Sequence, residues 1–283
     1  MKGSPDEFNA RGTKFILPYL GNNNIRSDYM NPVAFNIFGF DVMWYGIFIG
    51  TGMALAIILA KYTCEYRDID YDPLLDVVLI SLPVGIIGAR LYYVAFAFDT
   101  YKDNLLEIFN TRGGGLAIHG GILFAFIAAF IIAKRKKMNF IKMADIAAPT
   151  IIIAQAIGRW GNFFNSEAHG GPVSYEFIKN FPYFIQQGMH IDGIYYHPTF
   201  LYESIWDFIV FIVLMVILTN SKKVGIVFFT YIGLYSIGRF FIEGLRTDSL
   251  MFGPLRIAQL VSLTGIVIWV GFLILSRYKK VEH

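Results

Sequence analysis

Arg159 and Arg239 stand inside long apolar stretches of the chain. A charged side chain there costs about 2.5–3.5 kcal/mol at the centre of a bilayer, so each calls for a partner or a ligand. Asn162 follows Arg159 by three residues and shares its helical face. Tyr235, Arg239 and Glu243 recur every four residues and Arg246 follows three later, so all four fall on one helical stripe. Two polar stripes in an apolar bundle should face each other or a water-filled cavity. The Arg239–Glu243 pair has a plain reading as a lock between helices. That reading does not cover Arg159, which has no carboxylate one turn away. Two arginines without matching carboxylates point to a bound anion. At that depth the obvious anion is a lipid phosphate, which Arg recognises through paired N–H donors.

A third feature is Thr-Arg-Gly-Gly-Gly-Leu-Ala-Ile-His-Gly-Gly at residues 111–121. Glycines let backbone approach a ligand closely and tolerate positive φ. His119 lies within this run, and an ordinary imidazole pKa near 6.5 suits proton transfer around neutrality. A lone histidine is often only a packing residue, but its glycine neighbours offer little to pack against.

The elements that must position these residues are membrane helices. The chain is 55% apolar and 16% charged, with mean hydropathy +0.52. Soluble domains carry about 25% charged residues. Apolar runs long enough to span a bilayer lie at 44–61, 74–98, 116–133, 143–165, 198–219, 224–244 and 255–275. The expected fold is all-α, a seven-transmembrane-helix bundle. A further apolar piece, 32–40, is too short to span and should lie in the interface or enter the bundle partway. Alternate loops and the C-terminal end carry twelve Lys and Arg, and the opposite loops carry four. The twelve-charge side is therefore expected to be cytoplasmic. His119, Arg159 and Arg239 then fall toward the outer face, below a small extracytoplasmic cap formed by 166–197. Residues 30–283 read as one membrane domain. Residues 1–29 lack the pattern of a signal peptide and read as a vector-derived leader or a flexible tail, with Met30 a natural start. A net charge of +3 gives no reason to expect a nucleic-acid partner. The single Cys64 allows neither an internal disulfide nor a cysteine metal site. A metal-dependent phosphotransferase would need clustered carboxylates, whereas Asp145 and Asp207 are isolated in the sequence. A transporter would place its charges near the midplane between internal repeats, and no repeat is visible.

The segment Gly158-Arg159-Trp160-Gly161-Asn162-Phe163-Phe164-Asn165-Ser166-Glu167-Ala168-His169-Gly170 closely resembles the signature of bacterial prolipoprotein diacylglyceryl transferases. That signature reads G-R-x-G-N-F-x-N-x-E, with a glycine three positions after the Glu. Trp44-Tyr45-Gly46, His119-Gly120-Gly121, His197-Pro198-Thr199 with Leu201-Tyr202-Glu203, and Gly238-Arg239-Phe240-Phe241-Ile242-Glu243 followed by Arg246 are similar to further family segments in the same order. The likeness runs from about Asn31 to the last helix. One departure is Ser166, where family members often carry glycine, and little consequence is expected.

The resemblance implies a reaction. The diacylglyceryl group of phosphatidylglycerol passes to the thiol of the lipobox cysteine in a preprolipoprotein signal peptide, forming a thioether and releasing glycerol 1-phosphate. It also implies a bacterial plasma-membrane location with the chemistry at the outer face. Attack at a glycerol carbon needs a thiolate and a stabilised departing phosphate. His119 is the expected proton acceptor or relay, with Arg159 and Arg239 on the phosphate. Asn162 is expected to bond the headgroup. Glu167 and Glu243 should orient the arginines, and either is an alternative proton acceptor. Tyr45, Tyr235, Gly170 and Arg246 complete the expected substrate contacts. No metal or cofactor is called for. Cys64 falls at the inner end of the first span and is not the nucleophile.

Overall fold

A computed structural model describes residues 30–278 apart from 103, 112 and 113. The leader expected at 1–29, and the loop and terminal charges Arg112, Lys279 and Lys280, lie outside the described residues. Seven helices are long and apolar enough to cross a membrane. They are α1 (Trp44–Thr63), α2 (Tyr71–Phe96), α3 (Ile118–Arg135), α4 (Phe140–Phe164), α7 (Thr199–Asn220), α8 (Ile226–Glu243) and α9 (Ile257–Tyr278). The chain is an all-α polytopic membrane protein. Its outward surface is apolar, with Ile58, Ile86, Ile87, Phe126 and Val267 all more than half exposed. Such side chains face lipid without penalty, and each helix satisfies its own backbone bonds.

The spans pack in a chain of pairs: α2 on α3, α1 on α4, α4 on α7 and α8, and α8 on α9. Helix α4 is the most buried of the seven. Small residues permit the close crossings. A Cβ on Gly88 would lie 2.3 Å from Phe124, and one on Gly238 would lie 2.2 Å from the Trp206 indole. At the lysine-rich end, Arg67 and Asp145 form a buried pair, with Arg67 Nε donating to Asp145 Oδ2 at 3.0 Å. The same carboxylate accepts from the Gly225 N–H at 2.7 Å and the Phe228 N–H at 2.9 Å. It thereby caps α8, whose first amides have no intrahelical partner. Asp145 is isolated in sequence but not in space.

The apolar piece at 32–40 is neither a helix nor a span. It forms a hairpin of β1 (Val33–Ile37) and β2 (Phe40–Met43). Phe38 and Gly39 both have positive φ (50° and 85°), as a tight hairpin turn requires. Between α4 and α7 lie β3 (Pro172–Val173), α5 (Tyr175–Ile178), α6 (Tyr183–Gly188), β4 (His190–Ile191) and β5 (Ile194–Tyr196). The three strands form an antiparallel sheet in the order β3-β5-β4. Phe163 and Phe200, at the adjoining ends of α4 and α7, pack with Ile178, Ile185 and Met189 of this segment. A last hairpin, β6 (Met251–Phe252) and β7 (Leu255–Arg256), leads into α9.

Candidate functional site

The two arginines come together on a residue the spacing argument had not chosen. Glu203, in the second turn of α7, takes Arg159 Nε on Oε2 at 2.5 Å and Arg239 Nη1 on Oε1 at 2.8 Å. Arg246 Nη1 reaches the same Oε1 at 3.7 Å. Arg239 Nη2 also pairs with Glu243 Oε2 at 2.5 Å, along α8. The reading of Arg159 as an arginine without a matching carboxylate is therefore corrected. Its partner comes from another helix, and helical periodicity reports only neighbours on the same one. Asp207, one turn along α7 from Glu203, is also buried and within electrostatic reach of Arg159 and Arg239. Glu203 and Asp207 did carry a signal: two carboxylates four residues apart in an apolar run need cationic partners as much as the arginines need anionic ones.

Exposure gives the cluster its polarity. The side chains of Glu203 and Glu243 are 6% and 2% exposed, those of Arg159 and Arg239 20% and 18%. The carboxylates thus lie behind the guanidiniums, and the reachable edge of the site is cationic. Glu203 meets Arg159 most closely at Nε, and no hydrogen bond engages the Nη groups of Arg159 among the described residues. Donors of this kind suit the oxygens of a phosphate.

Arg246 follows α8 in a turn held from several sides. Its Nε and Nη2 donate to the two carboxylate oxygens of Asp248 at 2.9 and 2.7 Å. Burial works against the charge on Arg246, but Asp248, Glu203 and Glu243 together more than offset it and the pKa is raised. The hydrogen bond from Arg246 holds the Asp248 carboxyl below its ordinary value. Arg256 donates to the carbonyls of Glu243 and Arg246. Gly170 forms an antiparallel bridge with Arg246, and its N–H donates to the His197 carbonyl at 3.0 Å. A Cβ on Gly170 would lie 2.6 Å from His197 Cβ. Gly170 thus acts as a backbone joint between three segments.

The end of α4 forms a second group. Asn162 Nδ2 donates to Glu167 Oε1 at 2.9 Å and Asn165 Nδ2 to the same oxygen at 3.4 Å. Glu167 therefore orients these amides, while the arginines take Glu203 and Glu243. Tyr45 packs over Gly161, where a Cβ would lie 2.7 Å from its ring, and it sits within electrostatic reach of Glu167 and Arg159. Tyr235 stacks on Tyr231 and lies within electrostatic reach of Arg159 and Arg239. Ser166 has φ of 51° at the exit of α4, a left-handed conformation that glycine adopts freely.

His119 is exposed in the first turn of α3, at the same end of the bundle. No hydrogen bond or ion pair joins it to the arginine cluster among the described residues. The glycines around it meet protein: a Cβ on Gly120 would lie 2.2 Å from Tyr92 Cβ, and one on Gly115 would lie 2.3 Å from Arg90 Nη1.

The family model described as prolipoprotein diacylglyceryl transferase matches residues 32–275. This chain belongs to the prolipoprotein diacylglyceryl transferase family. A Clostridium botulinum (strain Loch Maree / Type A3) protein named phosphatidylglycerol–prolipoprotein diacylglyceryl transferase is 60% identical, over 89% of this chain and all of that protein. A Clostridium kluyveri protein of the same name is 59% identical, over 89% of the chain and all of that relative. The family match takes in both hairpin strands before α1, the arginine cluster and most of α9, so every site residue named above lies within it.

Proposed function

We propose that this chain transfers the diacylglyceryl group of phosphatidylglycerol to the lipobox cysteine thiol of a preprolipoprotein. The observation that carries the proposal is the convergence of Arg159, Arg239 and Arg246 on the buried Glu203, with the guanidiniums of Arg159 and Arg239 on the exposed side of that carboxylate. In the reaction the cysteine sulfur forms a bond to a glycerol carbon and the C–O bond to phosphate breaks. The electron pair leaves with glycerol 1-phosphate. A phosphodiester carrying one charge becomes a monoester with greater negative charge, and the arginine edges offset what builds on the leaving oxygen. Such preorganised charge is often the largest catalytic contribution.

The thiol proton passes to His119, which stands at the same end of the bundle. Asn162, held by Glu167, contacts the headgroup together with Tyr45 and Tyr235. The lysine-rich end faces the cytoplasm, and the arginine end faces out. Segment 166–197 caps that outer end, and the enzyme resides in a bacterial plasma membrane. The reaction as written requires no metal.

The test is transfer of labelled diacylglyceryl from phosphatidylglycerol to a lipobox peptide by the purified protein. Arg159→Ala and Arg239→Ala are each expected to lower turnover by about 100-fold or more and to weaken phosphatidylglycerol binding. His119→Asn is expected to lower turnover with lipid binding intact. Normal binding and turnover in both arginine variants would remove the phosphate clamp.

A further inference from the structure

Arg90 lies in α2, 7% exposed and without a carboxylate partner among the described residues. Its guanidinium instead takes up backbone carbonyls. Nε donates to Ile108 O at 2.7 Å, Nη2 to Glu107 O at 2.6 Å and Asn110 O at 2.8 Å, and Nη1 to Gly114 O and Gly115 O, both at 3.0 Å. A guanidinium has five N–H donors in a planar fork, so this matches its whole capacity. The Tyr101 ring lies 5.1 Å from the guanidinium carbon. Gly114 and Gly115 have φ of 90° and 73°, which turns their carbonyls onto Arg90.

The loop wrapped on Arg90 leads directly into α3. Ala117, which precedes α3, donates its N–H to the Ala89 carbonyl at 3.0 Å. His119 is two residues further on. The start of α3 is thus tied to α2 beside Arg90, with Gly120 closed against Tyr92 and the Gly88 carbonyl. A lysine presents three donors from a single nitrogen and cannot bridge carbonyls on both arms of the loop.

We propose that Arg90 is a positioning residue for the transfer reaction: its guanidinium gathers segments 105–111 and 114–117 into a socket that fixes where His119 stands. The proposal rests on the reading of His119 as proton acceptor. Arg90 touches neither substrate nor the reacting atoms. It acts through the loop, and displacement of a reacting group by about 1 Å can cost as much as 100-fold in rate.

The experiment compares Arg90→Lys with the parent chain, in the parent and His119→Asn backgrounds, using phosphatidylglycerol vesicles and a lipobox peptide. Arg90→Lys should lower kcat by about 10-fold or more with KM for phosphatidylglycerol unchanged. It should also release the backbone amides of 105–111 and 114–117 to hydrogen exchange. In the His119→Asn background it should cost nothing further, because both changes remove one function. Gly115→Ala, which presses a methyl group onto Arg90 Nη1, should give the same kcat loss if Arg90→Lys does not accumulate. Equal cost of Arg90→Lys in both backgrounds, unchanged exchange, or a change confined to KM would overturn the proposal. A fully active His119→Asn would overturn the acceptor role and the positioning role with it. An impaired His119→Asn beside an unimpaired Arg90→Lys would count against Arg90 alone.

Discussion

At the scale of residues, the site is a question of how much charge one carboxylate must hold. Glu203 faces three guanidiniums, at 2.5, 2.8 and 3.7 Å. Removing its charge while keeping its shape leaves those arginines mutually repulsive and free to turn toward an anion. Glu203→Gln is therefore expected to hold phosphatidylglycerol at least as tightly as the parent while kcat drops by about 10-fold or more. Weakened lipid binding at unchanged kcat would show that Glu203 serves some other purpose. A pH effect belongs to Asp248, which titrates below its ordinary value because Arg246 bonds its ionised form. With a depressed folded pKa, its contribution is present above the unfolded value and is lost as pH falls through the folded one. Asp248→Asn should loosen the turn after α8 already at neutral pH, read as faster hydrogen exchange at Arg246. Of this cluster, Arg159, Arg239, Glu243 and Arg246 are legible in the sequence because charges in apolar runs stand out. Glu203 was passed over because its partners lie on two other helices.

At the scale of elements, helix ends do much of the positioning. Asp145 joins Arg67 to the start of α8, the helix that carries Arg239 and Glu243. Asp145→Ala leaves a buried guanidinium unpaired and uncaps α8, and should destabilise the fold by about 3–5 kcal/mol. Thermal unfolding in detergent would show it, and an unchanged midpoint would contradict the pairing. At the other end of the bundle, Ser166 takes a left-handed conformation where α4 gives way to Glu167. Ser166→Gly should raise stability by about 1 kcal/mol with turnover unaltered, since only the conformational penalty is removed. A fall in thermal midpoint would mean that the serine side chain contributes more than the strain costs. The helices themselves are plain in the sequence, since seven apolar runs gave seven spans within a few residues of their ends. The β1–β2 hairpin was not, because its apolar residues alternate with too few polar ones to mark strands. Its turn depends on Phe38 adopting a positive φ, and phenylalanine does not signal one.

At the scale of the whole molecule, the proposal places Cys64 and the arginine site on opposite sides of a membrane. Cys64 is buried at the lysine-rich end of the bundle, in the cluster that includes Leu74, Ala133 and Met143. Cys64→Ser should keep full transfer activity. With Cys64 removed, a cysteine placed at Lys136 should react with a membrane-impermeant reagent only after cells are opened, and one placed at Asp248 in intact protoplasts. The reverse pattern would invert the bundle and put the arginine edges in the cytoplasm.

Composition and patterning alone settled that this chain is a seven-span membrane bundle, because burying an apolar run in lipid is a property of the run itself. They also showed Arg159, Arg239 and Glu243 to be out of place there, because a charge in hydrocarbon is costly, although Glu203 and Arg90, equally out of place, went unmarked. Only the tertiary structure decided who those partners are. Glu203 for three arginines, Asp145 for Arg67 and five backbone carbonyls for Arg90 are pairings between distant segments, fixed by helix packing and loop closure rather than by any local spacing.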